Sequence, residues 1–512
     1  MIAKINSVAN VGLTSLPVEV EVDVATQGFP AFNIVGLPSK AVEEAKERVK
    51  TAIVNSGFSF PQKKITVNLA PGDLAKDGSC YDLPIAVGIL VASGEVKEET
   101  INGAVYYGEL SLDGHVRHTK GVLLVGIFAQ KTDTKEIFVP IESSPEASVI
   151  ENIKVIPVRN LVELVSHLNN QKLIEPLENV EVERLIEAGE SEFDFSEVLG
   201  QETAKRALMI AASGGHNILM SGPPGSGKTM LARALPSILP PLNPKEALEV
   251  TRIYSATGLL SPGEAIVRVR PFRYPHHSTS LAGLIGGGSK PLPGEVSLAH
   301  LGVMFLDEMA EFPRSVMESM RQPMEDGKVV VSRAAGRVEY PANFMLVAAV
   351  NPCPCGYLNH PKRECKCTIR QIEKYKRRIS GPILDRIDLH VNVPAVEAEK
   401  LTGNTKAPSS KEIREKVINV RKIQDERFKQ KEGLYTNSQM RNKEVKEFCK
   451  LSDEGNRLMR LAVDKYDLST RSYFRILKVA RTIADLSARS HLAGEIEVDH
   501  LAEALQYRMR VF

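Results

Sequence analysis

The sequence predicts an α/β protein with a mostly parallel sheet in its central part, and three observations predict it. Short apolar strands, "NILMSG", "VMFLDE" and "FMLVAAVN", alternate with helical periodicities. The pattern GPPGSGKT at residues 222–229 stands directly after the first of these strands and directly before a helix. Upstream, Val18, Val20, Val22 and Val24 alternate with Glu19, Glu21 and Asp23, the period of a strand with one wet face.

A chain of 512 residues is long enough for about three domains of ~150 residues. Apolar residues at 43% and charged residues at 25% suit a soluble protein with real cores. Lys and Arg number 65 against 63 Asp and Glu, so any nucleic-acid contact must be local rather than a coat of positive charge. No Trp and few aromatics argue against base stacking as the binding mode. No apolar run reaches ~18 residues, and "MIAKINSVANVG" lacks the basic and apolar stretches of a signal peptide. A cytoplasmic protein with no membrane partner is the expectation.

Residues 1–175 read as one α/β unit. After the valine strand, "SKAVEEAKERVKTAIVNSG" gives a helix with Ser39 as N-cap candidate and Gly57 at its end. "KKITVNLAP" is a strand, and Asp82 precedes an apolar helix closed by Gly94. "KEIFVP" is a late strand and "NLVELVSHL" a late helix. Residues 176–194 are a polar linker with a short helix. Residues 195–394 carry the strand–helix alternation. Residues 395–512 read as helical, with leucines at three- and four-residue spacing.

The strand–loop–helix context turns GPPGSGKT into a mechanism. Gly222, Pro223, Pro224, Gly225, Ser226 and Gly227 form a tight loop whose N–H groups can face phosphate, aided by the helix N-terminus behind it. Lys228 can reach the β- and γ-phosphates of ATP, and the Thr229 hydroxyl can ligate Mg²⁺. The apolar strand of "GVMFLDEMAEF" delivers Asp307 and Glu308 to its C-terminal end, where ligands of open α/β sheets bind. Asp307 is placed to hold Mg²⁺ through water, and Glu308 to polarise the attacking water.

Four of the six cysteines crowd into "CPCGYLNHPKRECKC": Cys353, Cys355, Cys365 and Cys367. Four thiolates suit a tetrahedral structural Zn²⁺, although C-x-C pairs depart from the common C-x₂-C spacing. Lys362, Arg363 and Lys366 lie inside this loop, where they can contact DNA or offset thiolate charge. Cys80 and Cys449 are isolated thiols.

Together, "VAAVNPCPCG", "ISGPILDRIDLHV" and "LSTRSYFRILKVARTIADL" resemble the ComM/YifB family of magnesium-chelatase-like AAA+ proteins, and the likeness covers essentially the whole chain. The resemblance implies an AAA+ P-loop core, a C-terminal helical lid and a homo-hexameric ring with ATP sites between subunits. It implies that Asn351 is the sensor orienting the lytic water, that Arg386 in "LDRID" is an arginine finger acting on the neighbouring subunit's nucleotide, and that Arg471 in "STRS" is the second sensor. Arg475, one turn later, is read as a lid salt bridge. "PFRYPHHSTSLAGLIGGGSKPLPGEVSLAH" resembles the helix-2 insert that points into a ring pore, its glycines 286–288 suiting a mobile loop. Within it His276 and His277 read as a hydrogen-bonded loop pair rather than metal ligands. "EDGKVVVSRAAGRVEYPANFMLV" resembles the pre-sensor-1 hairpin, with its turn near residues 334–336. Lys328, Arg333 and Arg337 put positive charge along it, as contact with a DNA backbone requires.

"LAPGDLAKDGSCYDLPIAVGILVASG" and "YYGELSLDGHVRHTKGVLLVGIFAQK" resemble the peptidase domain of Lon proteases, a ribosomal S5 domain 2-like fold with a Ser–Lys dyad. Cys80 stands where the nucleophile belongs, and Leu123, Leu124 and Val125 stand where the lysine belongs. The expectation is therefore a Lon-like fold without peptidase activity. The favoured function is a DNA-translocating ATPase, a branch-migration helicase acting on branched or single-stranded DNA beside recombination proteins. The alternative is a chelatase-like motor that remodels a partner protein. From Lys411 to Lys450 about twelve basic residues face seven acidic ones, a mild bias toward a phosphate backbone.

Overall fold

The computed structural model describes residues 2–27, 29–187, 193–288, 291–333, 336–360, 362–379, 381–395, 408–431, 433–487 and 494–508. The chain forms two compact units, Met1–Ala188 with Asn243–Arg268, and Gly189–Leu242 with Val269–Phe512.

Alternation builds the first unit. Strand β1 (Ile2–Val11) pairs antiparallel with β2 (Thr14–Val24), which turns Val18, Val20, Val22 and Val24 inward. With β3 (Ala31–Val35), β4 (Lys64–Ala70), β5 (Ala104–Tyr106), β6 (Glu136–Pro140) and β7 (Lys154–Val158), they form a seven-stranded mixed sheet in the order β3–β4–β2–β1–β5–β6–β7. The helix expected from Ser39 is present in two pieces, Lys40–Glu43 and α1 (Ala45–Asn55), followed by Gly57 with φ +83. Helix α2 (Asp82–Ala92) is apolar all round and packs on β1 and β2, as a helix without a wet face must. Helix α3 (Val122–Lys131) buries Leu123, Leu124 and Val125. Asn160 caps α4 (Leu161–Leu168) by accepting from the Glu163 N–H. Cys80 is buried, and burial pushes its thiol up to about 12.

The helix Pro244–Thr257 was expected in the ATPase core, yet it packs in this first unit. The reason is physical. Its Ala247, Val250 and Ile253 are buried, Arg252 donates to the Leu13 carbonyl at 2.9 Å, and Ser255 Oγ donates to the buried Glu146 carboxylate. These partners lie about 110 to 240 positions back along the chain, beyond the reach of a periodicity argument.

The second unit has a five-stranded, fully parallel sheet. Its strands are β8 (Ile218–Ser221), β9 (Phe272–Arg273), β10 (Val303–Leu306), β13 (Met345–Val350) and β14 (Leu389–Asn392), in the order β9–β10–β13–β8–β14. Strands β8, β10 and β13 are buried along their whole length, as strands covered on both faces are. Between β10 and β13, strands β11 (Lys328–Arg333) and β12 (Gly336–Pro341) make the expected hairpin. Its turn residues 334 and 335 lie outside the described residues. The C-terminal helices α7 (Ser410–Phe428), α8 (Asp453–Tyr466), α9 (Thr470–Ser487) and α10 (Val498–Gln506) share one continuous core with the sheet and with α5 (Glu202–Gly214), through residues such as Val417, Ile476, Ile483 and Leu501. Residues 395–512, expected as a separate lid, thus belong to the same compact unit. No helix among the described residues is long and apolar enough to cross a membrane.

Candidate active site

Strand β8 ends at Ser221, and helix α6 (Lys228–Ala234) starts after six intervening residues. The intervening loop needs its glycines. A Cβ on Gly222 would lie 2.1 Å from the Val393 carbonyl oxygen, and Gly225 and Gly227 have φ of +76 and +90. The amide groups of Gly225 and Gly227 find no acceptor among the described residues, which fits a loop that receives phosphate oxygens. Pro223 and Ser226 are tied by the Ser226 N–H to the Pro223 carbonyl. Pro224 meets the cysteine loop, where a Cβ on Gly356 would come within 2.5 Å of its Cδ.

Lys228 Nζ donates to the carbonyls of Gly222 and Pro223 at 2.8 and 2.9 Å, and to Asn351 Oδ1 at 3.3 Å. Burial lowers its pKa, while Asp307 and Glu308 act in the opposite direction. Thr229 Oγ1 donates to Asp307 Oδ2 at 2.9 Å. Parallel pairing of β10, β13 and β8 explains this convergence, because all three strands deliver their next residues to one edge. Glu308 follows at the turn with φ +48 and remains exposed. Hydroxyl, carboxylates, ammonium and amide therefore meet where a Mg²⁺-bound triphosphate would lie, and their chemistry fits that ligand.

The expected arginines fare differently. Arg471, in the first turn of α9, is exposed and has no hydrogen-bond or ion-pair partner among the described residues. Arg475 makes the expected salt bridge, to Asp388 Oδ1, and donates to the Arg386 carbonyl at 3.2 Å. Burial acts to raise the Asp388 pKa, yet Arg475 and His216 together hold the carboxyl well below the usual range. Arg386 is buried, at 8% exposure. Its guanidinium donates to the Pro382 carbonyl at 2.7 Å and pairs with Glu325 of its own chain. The structure thus brings Lys228, Thr229, Asp307, Glu308 and Asn351 together and gives Arg386 an internal partner.

Three contacts escaped the sequence. Gln201 Nε2 bridges the carbonyls of Ser226 and Pro394 at 3.1 and 2.6 Å, bracing the loop from behind. Tyr274 OH donates to Asp307 Oδ2 at 3.2 Å, and His277 Nδ1 lies 3.9 Å from Glu308 Oε2. The last two follow from the parallel pairing of β9 with β10, which no sequence motif marks, since the residues after two neighbouring parallel strands emerge side by side.

The four cysteine sulfurs lie within 4.8 Å of one another. Cys353 is 3.4 Å from Cys355 and 3.7 Å from Cys365, with Cys355 to Cys365 at 3.6 Å, and all are free thiols. A tetrahedron with Zn–S of about 2.3 Å has S···S edges of about 3.8 Å, so the cluster could hold such a metal. A hydrogen bond from the Tyr357 backbone helps push the Cys355 thiol down to about 6. On the hairpin, Lys328 Nζ pairs with Glu339 at 3.1 Å across the strands. Arg337 is exposed without an ion-pair partner among the described residues, and the side chain of Arg333 lies outside them.

Comparison with known proteins decides the family. Residues 194–401 match the family described as "Magnesium chelatase, subunit ChlI", residues 20–143 match "Subunit ChlI of Mg-chelatase", and residues 407–508 match "Magnesium chelatase, subunit ChlI C-terminal". The competence protein ComM of Haemophilus influenzae is 42% identical over 516 residues, covering 100% of this chain and 98% of that protein. The chain belongs to the ComM/YifB family of magnesium-chelatase-like AAA+ ATPases. YifB of Escherichia coli is 40% identical over 98% of this chain and 96% of its own length. The similarity to the magnesium-chelatase 38 kDa subunit of Cereibacter sphaeroides is narrower, 27% over 31% of this chain and 53% of that subunit. The full-length match therefore lies with the ComM/YifB branch, while the chelatase subunit shares one segment.

Proposed function

We propose that this chain is an ATP-dependent DNA motor, a ComM-like branch-migration helicase that works as a homo-hexamer in the cytoplasm on branched or single-stranded DNA, alongside recombination proteins. The full-length similarity to a competence protein carries this reading, together with the converged set of Lys228, Thr229, Asp307, Glu308 and Asn351. In it, residues 222–229 cradle the phosphates of ATP. Thr229 and Asp307 hold Mg²⁺, which neutralises charge on the phosphates when bound. Glu308 draws a proton from the attacking water, and Asn351 orients that water. Arg386 and Arg471 complete the site from their positions, Arg386 by exchanging Glu325 for a neighbour's γ-phosphate. Cys353, Cys355, Cys365 and Cys367 hold a structural Zn²⁺. Arg337, with Lys328 and Arg333, contacts the DNA backbone.

The first unit serves assembly or partner binding on a Lon-like fold without peptidase activity. A thiol buried at position 80, with Leu123, Leu124 and Val125 where a base would stand, supports that reading. The chelatase-family matches favour the second reading, a remodeller of a partner protein. A strand-displacement and branch-migration assay with and without ATP separates the two. The helicase reading requires ATP-dependent strand movement and DNA-stimulated hydrolysis, and absence of both would favour the remodeller.

A further inference from the structure

The cysteine loop is anchored to the nucleotide site at both of its ends. On the outgoing arm, Cys353 is fully buried just beyond Asn351, and Gly356 turns at φ +81 while its N–H donates to the Cys353 carbonyl at 2.9 Å. The buried Gly356 backbone lies against the Pro224 ring of the phosphate loop, where an added Cβ would be 2.5 Å from Cδ and 3.2 Å from Cγ. On the return arm, Cys367 is followed by Thr368, which caps the helix Ile369–Lys376 by accepting from the Gln371 N–H at 3.3 Å. That helix carries the buried Tyr375, which a backbone hydrogen bond joins to Asn351. The chain therefore leaves Asn351 and returns to it, with the four sulfurs between the two arms. The tip braces itself. His360 Nδ1 accepts from the N–H groups of Lys362 and Arg363 at 3.0 and 3.1 Å, and Arg363 donates to the Tyr357 hydroxyl at 2.6 Å. Among the described residues of 352–368 only Cys353 and Gly356 are buried, too few to make an apolar core. A loop of this kind takes its order from a crosslink at its centre.

We propose that this loop is a positioning element for the phosphate loop, and that ATP affinity depends on metal occupancy of its four cysteines. This rests on the structural Zn²⁺ reading given above. The physical reason is order. Cys355 and Cys365 stand 10 positions apart in sequence, and a metal shared between them closes that span. With the span closed, Gly356 is fixed against Pro224. Gly222 and Pro223, just before it, give their carbonyls to Lys228, so a fixed Pro224 holds the stretch in the shape that aims the Gly225 and Gly227 amides at phosphate. With the crosslink gone, the Gly356 contact is no longer held, and ATP has to supply the ordering when it binds.

The test is equilibrium binding of a fluorescent ATP analogue to the full chain in excess Mg²⁺, with zinc counted on the same samples. It compares protein as purified, protein stripped by a phenanthroline chelator, which takes zinc and leaves Mg²⁺, and stripped protein given back one equivalent of Zn²⁺. The expected result is a Kd about tenfold weaker after stripping, the cost of ordering roughly one backbone residue, and full recovery on adding zinc. Recovery separates a displaced loop from an unfolded chain. Pro224→Ala keeps the backbone and lacks the ring atoms that face Gly356, so it should bind zinc as before and show one Kd with and without it. A wild-type Kd unchanged by stripping overturns the proposal, as does a loss that zinc fails to restore or a full tenfold response in Pro224→Ala. A chain that neither carries zinc nor takes up one equivalent overturns the zinc reading instead, and the proposal with it.

Discussion

Replacing Glu146 by Gln should remove a large part of the pH dependence of stability. Burial pushes the Glu146 carboxyl from an ordinary 4.5 up to about 7, against hydrogen bonds from Ser255 and Leu123 that favour the charged form. The folded state therefore holds this proton more tightly than the unfolded chain. Below pH ~4.5 both states are protonated and the full stability is present. As pH rises through the window from about 4.5 to 7, the unfolded state ionises first and stability falls, levelling off above 7. A gap of roughly 2.5 pH units at 1.36 kcal/mol each amounts to ~3 kcal/mol. Gln stays neutral and keeps an acceptor oxygen for the Leu123 N–H and the Ser255 hydroxyl. The measurement is thermal unfolding of the full chain and of Glu146→Gln at pH 5, 6, 7 and 8. Between pH 5 and 8 about 1.8 of those units, ~2.5 kcal/mol, are lost, so at 2–4 °C per kcal/mol for a unit of this size the wild type should lose about 5–10 °C more than the variant. Equal losses in the two proteins, or a variant that melts lower at pH 8, would refute the reasoning.

Four further outcomes are expected. Lys228→Ala should abolish ATP binding, whereas Glu308→Gln should bind ATP and lose turnover by at least about a hundredfold, read by nucleotide binding beside phosphate release. Arg386→Ala mixed into wild-type rings should depress hydrolysis more than its share of subunits. Proportional loss would remove the finger from the neighbour's site, and Glu325→Gln should meanwhile leave folding intact because Pro382 still accepts from Arg386. Elemental analysis should find about one zinc per chain, falling to none in Cys353→Ser with Cys365→Ser. Arg337→Gln should weaken DNA binding and reduce the salt slope by about 0.9, more than Lys328→Gln, whose charge is already paired with Glu339.

What was legible in the sequence had local causes. Residues 222–229 announce themselves because the loop's backbone demands glycine at fixed places and the chemistry demands Lys228 and Thr229 next to them. Asp307, Glu308 and Asn351 follow from the direction of parallel strands, and the valines of β2 follow from a period of two. What was hidden depends on contacts distant in sequence. Glu325 reaches Arg386 across 61 positions, and Ser255 reaches Glu146 across 109. Neither pairing leaves a periodic trace. His277 is a third such case. As two adjacent histidines in a glycine-rich stretch, it and His276 read as a loop pair, since nothing nearby in sequence offers a carboxylate. Only the pairing of β9 with β10 sets it beside Glu308. The residues of the candidate nucleotide site are thus written as motifs, because a phosphate ligand would impose the same geometry on each of them. The contacts that join distant segments are written in topology, and Arg386 stands in both classes. Its motif resembles that of a residue aimed at a neighbour's nucleotide, and its fold gives it to Glu325. For Arg386 to act as proposed on a neighbour's nucleotide, that ion pair must first be exchanged, so the contact between subunits would have to supply at least the interaction that the exchange removes.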